Sequence, residues 1–234
     1  MSNSNQHEPI KTNPVKIEMV MDLVCSWCPI GYMNMKLAIE QLKIEVDFQF
    51  LPFELNPTMA AEGELISHYF KREMGWSQNK LDDYQAGLVR TANEAGVIID
   101  FANRTHYYNT HKAHLIMRWT HNFNLQTHFY EHLIKAYFEQ GLDINKETVL
   151  LDIIEKIGLN RQAGKEALSS GVLKQTLNQK KLAYKAFNIS RIPTFILDTK
   201  AVISGSLSVL GMVEALEEYL QKSIKPKLET THIL

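Results

Sequence analysis

Cysteine is nearly absent from this chain: there are two in 234 residues, Cys25 and Cys28, three positions apart. A disulfide scaffold needs several cysteines joining distant segments, so that class is excluded. An excess of one charge is missing too. Basic and acidic residues number 25 and 26, a net charge of −1. Nothing in that balance would draw a nucleic acid or an acidic membrane surface. No apolar run approaches the roughly 20 residues that span a bilayer. The first fourteen residues, rich in Ser, Asn and Gln, lack the apolar centre of a secretory signal. From these absences the chain is expected to be cytoplasmic. There is no G-x-G-x-x-G or Walker loop for a phosphate, and no nucleophile elbow for Ser-His-Asp catalysis.

What is present is an ordinary globular composition, 45% hydrophobic and 22% charged, enough to bury a core. Residues 15–22 alternate and then become continuously apolar, as a mostly buried strand does. Met35, Ile39 and Leu42 recur at helical spacing, which predicts a helix from about the cysteines to Leu42. Val46, Phe48 and Phe50 alternate in a second strand that Pro52 ends or places at a sheet edge. From about 59 to 186 the pattern is helical, in windows 66–74, 81–95, 112–140, 146–157 and 171–187, with Gly75, Gly96, Gly141 and Gly158 where helices should stop. Two short strands follow, 194–198 and 201–204, joined as a hairpin, and then an amphipathic helix over 207–220.

The order is therefore β-α-β, a long helical block, then β-β-α: an α/β chain of thioredoxin-like order carrying a large inserted helical domain. The expected division is 15–58 with 187–222 as the discontinuous thioredoxin-like domain, 59–186 as the insertion, and 1–14 and 223–234 as flexible tails.

The segment Asp22-Leu-Val-Cys25-Ser-Trp-Cys28 puts C-x-x-C where a buried strand meets a helix. Unpaired N–H groups and the macrodipole at a helix N-terminus favour an anion, so Cys25 is held partly as thiolate, the reactive form. Cys28, one turn on, is close enough to attack a mixed disulfide formed by Cys25. The competing reading is a zinc site in which His111 and His114 complete a Cys₂His₂ set. The sequence distance between the pairs and the strand-to-helix setting weigh against it, and no metal is expected. Trp27 reads either as a partly exposed ring shaping a substrate surface or as a core tryptophan. Asp22 reads as a carboxylate exchanging a proton with Cys28 or as a local acceptor capping the turn, the second being preferred.

Four segments in this order resemble DsbA-family proteins, and more closely their FrnE-like branch. Asp22-Leu-Val-Cys-Ser-Trp-Cys-Pro-Ile-Gly31 is similar to D-x-x-C-P-W-C-x-x-G. Pro52-Phe-Glu-Leu-Asn-Pro57 is similar to P-F-x-L-N-P. Asn109-Thr-His-Lys-Ala-His114 is similar to N-T-x-x-A-H, and Ile192-Pro-Thr-Phe with Ile203-Ser-Gly205 to V-P-x-F…V-S-G. The resemblance implies a thioredoxin fold with a helical insertion, dithiol–disulfide chemistry and a cis proline, Pro193, facing the cysteines. With Pro193 cis, Ile192 would offer backbone groups to an extended substrate. Ser26, Trp27, Ile192 and Thr194 are the substrate-side candidates, and Cys25, Cys28 and Pro193 the catalytic ones. One departure is that Ser26 stands where the branch has proline. That dipeptide tunes redox poise, so oxidant, reductant or isomerase is left open.

A glutathione-dependent isomerase or transferase related to 2-hydroxychromene-2-carboxylate isomerase is the alternative. Those enzymes carry Ser-Pro where this chain has Cys25-Ser26. A non-enzymatic binding scaffold is a third class. No cofactor is expected beyond the redox-active disulfide, with glutathione entering through the alternative. The expected partner is a disulfide- or thiol-containing protein or small molecule, and the redox partner and oligomeric state stay open. His114, His121, His128 and His132 would lie on one side of the helix over 112–140, as a half-solvated surface rather than a metal face. His111 and His114 could lean over the site toward substrate. Trp119, Phe123, Tyr130 and Phe138 are expected to pack the insertion.

Overall fold

The computed structural model describes residues 14–183 and 187–224. Strand β1 (Val15–Met21) is almost wholly buried, because it lies inside a four-stranded sheet of order β2-β1-β5-β6 with both faces covered. Strand β2 (Val46–Pro52) runs parallel to it, Val15 opposite Val46 and Met21 opposite Pro52. Helix α1 (Trp27–Leu42) makes the crossover between them. The hairpin of β5 (Thr194–Leu197) and β6 (Ala201–Ser204) adds antiparallel to the other side of β1. Helix α9 (Val209–Ile224) packs against α1. Ile17, Met19 and Met21 join the main core, while Val20 turns to a smaller cluster with Leu51 and Ile196 on the opposite face.

Pro52 is both the last residue of β2 and part of an edge strand. That edge is covered: the Phe50 N–H donates to Gln126 Oε1 at 3.0 Å, and Gln126 Nε2 donates back to the Phe50 carbonyl at 3.3 Å. A buried side-chain amide thus takes the place of a neighbouring strand.

Between β2 and β5 come β3 (Glu64–Leu65), α2 (Ile66–Met74), α3 (Gln78–Glu94), β4 (His106–Tyr107), α4 (His111–Thr120), α5 (Gln126–Ile134), α6 (Glu147–Lys156), α7 (Arg161–Ser169) and α8 (Gly171–Ala183). Strands β3 and β4 pair over two residues each, too few for a period to register in the sequence. The four expected glycine stops all have positive φ. At Gly141 a Cβ would lie 2.0 Å from the Asn103 carbonyl oxygen, so only glycine lets the 100–104 loop approach there.

Several expectations need correction. Residues 112–140 are not one helix. Asn124 adopts φ 57 after a 3-10 turn, the Leu125 N–H returns to the Thr120 carbonyl, and a π turn over Lys135–Glu139 follows α5. The break scatters His114, His121, His128 and His132, so they form no single stripe. Of the four aromatics assigned to the insertion, Tyr130 and Phe138 are buried and Trp119 is half-buried, but Phe123 is 46% exposed at that break. Helix α7 escaped the pattern because it is polar with Gly164 at its centre, where the missing Cβ lets Ile154 close in. The final helix also starts later and runs longer than 207–220. Residues 1–13, 184–186 and 225–234, including most of both expected tails, lie outside the described residues.

Candidate active site

The loop between β1 and α1 carries the cysteine pair. It turns tightly, the Cys25 N–H bonding to the Asp22 carbonyl and the Cys28 N–H to the Cys25 carbonyl. Ser26 is the residue before the first helical turn, which sets the Cys25 sulfur against the free amides of that turn. No disulfide joins the two sulfurs in this structure. Cys25 is 8% exposed and Cys28 is 0%. The Cys28 thiol donates to Cys25, and this bond, opposed by burial and helped by the backbone amides of Trp27 and Cys28, lowers the Cys25 thiol below its ordinary value. Burial, then the bond to Cys25, pushes Cys28 well above it. One sulfur is prepared to ionise and the other is held protonated beneath it.

The Ile192–Pro193 bond is cis. Pro193 packs on α1 at Gly31, where a Cβ would sit 2.7 Å from the proline ring, which places it against the helix that the cysteines begin. Its carbonyl accepts from Gly205 N–H at 2.8 Å. Ile192 is half-buried, and among the described residues its backbone makes no hydrogen bond. Thr194 is different: its side chain is buried and its hydroxyl donates to the Arg191 carbonyl at 2.7 Å. Ser26 is buried as well. Neither presents the side-chain surface expected of a substrate contact, because the sheet and the loop enclose both. Trp27 is half-buried, and its indole N–H donates to Tyr84 Oη of α3 at 3.1 Å, tying the cysteine loop to the inserted helices.

Asp22 is fully buried beneath the loop. Its Oδ1 accepts from the Leu23 N–H at 2.7 Å and its Oδ2 from the Leu55 N–H at 2.7 Å. His114 Nε2 lies 3.1 Å from Oδ1 and 3.0 Å from the Phe53 carbonyl. Two acceptors at one nitrogen assign the hydrogen to Nε2. His114 therefore does not lean out toward substrate; it is buried and faces inward. The cap expected of Asp22 is present, but it extends to two other segments. The Asp22 charge also reaches both thiols and raises them. His111 Nδ1 lies 2.9 Å from Glu54 Oε1, and Lys181 shares that carboxylate. Burial pushes Glu54 up, but the bonds from His111 and Lys181 outweigh it and hold the carboxyl down at about 2. With His111 and His114 so engaged, no group of three or more His, Cys, Asp or Glu among the described residues is placed to hold a metal ion.

Two site residues, Tyr84 and Arg104, carried no sequence signal, and Glu54 sits at the unspecified position of the segment Pro52–Pro57. The guanidinium of Arg104 donates to the Val24 carbonyl at 2.9 Å, immediately before Cys25. A lone arginine in a loop between two helical windows gives no periodic cue to such a contact.

The family model for DSBA-like thioredoxin domains matches residues 16–217. YwbO of Bacillus subtilis (strain 168), an uncharacterized protein, is 26% identical over 184 residues, 78% of this chain and 86% of that one. Among solved structures, the chain is similar to a probable DsbA oxidoreductase, SCO1869 from Streptomyces coelicolor (TM-score 0.85, 18% identity, 93% and 94% of the two chains). It is also similar to 2-hydroxychromene-2-carboxylate isomerase (0.62, 16%, 89% and 97%) and to the cytosolic disulfide reductase DsbM from Pseudomonas aeruginosa with GSH (0.60, 14%, 89% and 98%).

Proposed function

Because the chain belongs to the family of DSBA-like thioredoxin domains, we propose that it is a thiol–disulfide oxidoreductase in which Cys25 attacks and Cys28 resolves. The observation that carries this reading is the opposed preparation of the two sulfurs, Cys25 lowered and 8% exposed, Cys28 raised and fully enclosed. The Cys25 thiolate attacks one sulfur of a substrate disulfide; that S–S bond breaks, and the other substrate sulfur leaves as thiolate and is protonated. Cys28 then loses its proton and attacks Cys25 Sγ, releasing the second substrate thiol and leaving a Cys25–Cys28 disulfide. Two electrons pass to the substrate, and the reverse sequence oxidises a dithiol.

Asp22 is suited to receive the Cys28 proton, being buried beside both thiols. Ile192, whose backbone makes no hydrogen bond among the described residues, lies beside Pro193 and is suited to pair with an extended substrate segment. The rim left by Trp27 and Ile192 would shape what docks. The four resembling segments support placing the chain in the FrnE-like branch. A cytoplasmic location fits the same reading: no helix among the described residues is long and apolar enough to cross a membrane, and DsbM is a cytosolic protein. Glutathione as substrate or redox partner is the second reading, favoured by the GSH in the DsbM structure. The isomerase alternative is less favoured, since both thiols are present here.

The test is trapping. Cys28→Ser strands the mixed disulfide and Cys25→Ser prevents it from forming, so thiol-sensitive adducts after acid quenching are expected from Cys28→Ser alone. Protein adducts identify a protein substrate, and glutathione on Cys25 selects the second reading. Equal adducts from both variants, or none from either in oxidised cells, overturn the assignment.

A further inference from the structure

Arg104 is 1% exposed and forms no ion pair with a carboxylate among the described residues. Four rings surround its guanidinium, Tyr137 and Phe138 at 4.8 Å, Tyr107 at 5.2 Å and Phe101 at 5.4 Å. It bonds to the hydroxyls of Tyr107 and Tyr137 and to the Val24 carbonyl, while its Nε has no partner among the described residues. The loop that delivers it is firmly built. Asp100 Oδ1 accepts from the N–H groups of Ala102 and Asn103, the Arg104 N–H bonds to the Asp100 carbonyl, and Gly141 leaves room for Asn103.

Burying a cation without an anion costs several kcal/mol. Rings and hydroxyls offset part of that cost, but no carboxylate completes it. Asp22 already has three donors of its own. The group that becomes negative one residue from the Val24 anchor is the Cys25 sulfur. Tyr84 and Tyr107 are each within electrostatic reach of both Arg104 and Cys25. The titratable groups around Cys25 are Cys28 and Asp22 from its own loop, Tyr84 from α3, Tyr107 from β4 and Tyr130 from α5. Among these neighbours and Arg104, only Arg104 is positive.

We propose that Arg104 is a positioning residue of the cysteine pair: anchored on the Val24 carbonyl, its unpaired buried charge holds the Cys25 loop and favours the thiolate of Cys25. The inference rests on the exchange reading above. Its consequence is that the redox poise of the pair is set partly from the inserted helices, behind the site, and not by the Ser26-Trp27 dipeptide alone.

The test uses Arg104→Met, an apolar side chain suited to the ring-lined site, and Arg104→Gln, which keeps a donor for Val24. Arg104→Lys, which keeps the charge, is the rescue variant. Folding is checked by circular dichroism, and thiolate formation by ultraviolet absorbance and iodoacetamide reaction against pH. In either neutral variant the Cys25 titration is expected to move upward, and its alkylation at neutral pH to slow on the order of tenfold. Arg104→Lys recovers most of the rate. The equilibrium with glutathione shifts toward the disulfide in the neutral variants. A folded neutral variant that titrates like the parent overturns the proposal, as does a lysine variant that behaves like methionine. A parent protein that exchanges no disulfide at all overturns the underlying reading instead, so the two failures are distinct.

Discussion

At Cys25 the strongest acidifying influence is the thiol of Cys28, ahead of the backbone amides. This makes the two cysteines partners before any disulfide forms. Replacing Cys28 by alanine deletes the donor, whereas serine keeps one. Cys25 is therefore expected to alkylate several-fold faster at neutral pH in Cys28→Ser than in Cys28→Ala, measured with iodoacetamide over a pH series. Asp22 acts in the opposite sense on both thiols while satisfying the Leu23 and Leu55 amides and His114. Asp22→Asn should thus have two effects of opposite value. It removes a buried acceptor pattern at a cost of about 2–4 kcal/mol by urea unfolding. In the folded protein it also makes Cys28 easier to ionise, which a stopped-flow measurement of the resolving step would record as a downward shift of its pH midpoint. A loss of stability with no change in that midpoint would leave Asp22 a purely structural cap.

Helix α1 starts at the cysteine loop and presses its fifth residue, Gly31, against the Pro193 ring. Asn34 adds a bond of 2.7 Å to the Leu207 carbonyl, fixing the same face to the loop before α9. Adding one methyl at Gly31 would force the helix and the proline apart. Gly31→Ala is expected to cost about 1–3 kcal/mol and to slow exchange. Gly87→Ala in α3 is the control. Its Cβ would meet only Arg90 Nη2 at 3.7 Å, so that change should be neutral or stabilise by up to about 1 kcal/mol. Chemical unfolding of both, with a dithiol oxidation assay, separates crowding at the proline from glycine effects in general.

Across the whole molecule, the loop after β2 is locked to α4 and α8 by Glu54, which bonds His111 and Lys181. The Glu54 carboxyl is depressed from 4.5 to about 2 in the folded state. A depressed carboxyl contributes stability above its unfolded value and loses it as pH falls toward the folded one. The contribution should therefore be complete above about pH 5 and vanish on approaching pH 2, amounting to roughly 1–2 kcal/mol once the partly exposed His111 is discounted. Glu54→Gln should flatten stability over that window while leaving it unchanged in slope near neutrality. Urea midpoints at a series of pH values would detect this, and an unchanged acid slope would show that the cluster carries no such weight.

Local pattern was enough to read the four strands of the main sheet, the helix that the cysteines begin, the glycine stops and the reactive pair itself. Each depends on neighbours within a few positions, through side-chain period, helix-end electrostatics or backbone permissiveness. The helix break at Asn124 and the polar helix α7 escaped for different reasons: the apolar period runs on across the break, which a single left-handed residue makes, whereas α7 shows too little apolar period to register. Only the tertiary structure brought Tyr84 to Trp27, Arg104 to Val24 and His114 to Asp22, partners 57, 80 and 92 positions apart. Spacing along the chain holds no information about such pairs. A buried charge or hydrogen-bonding group finds its partner according to how whole elements pack, and here that packing sets the surroundings of the Cys25 sulfur.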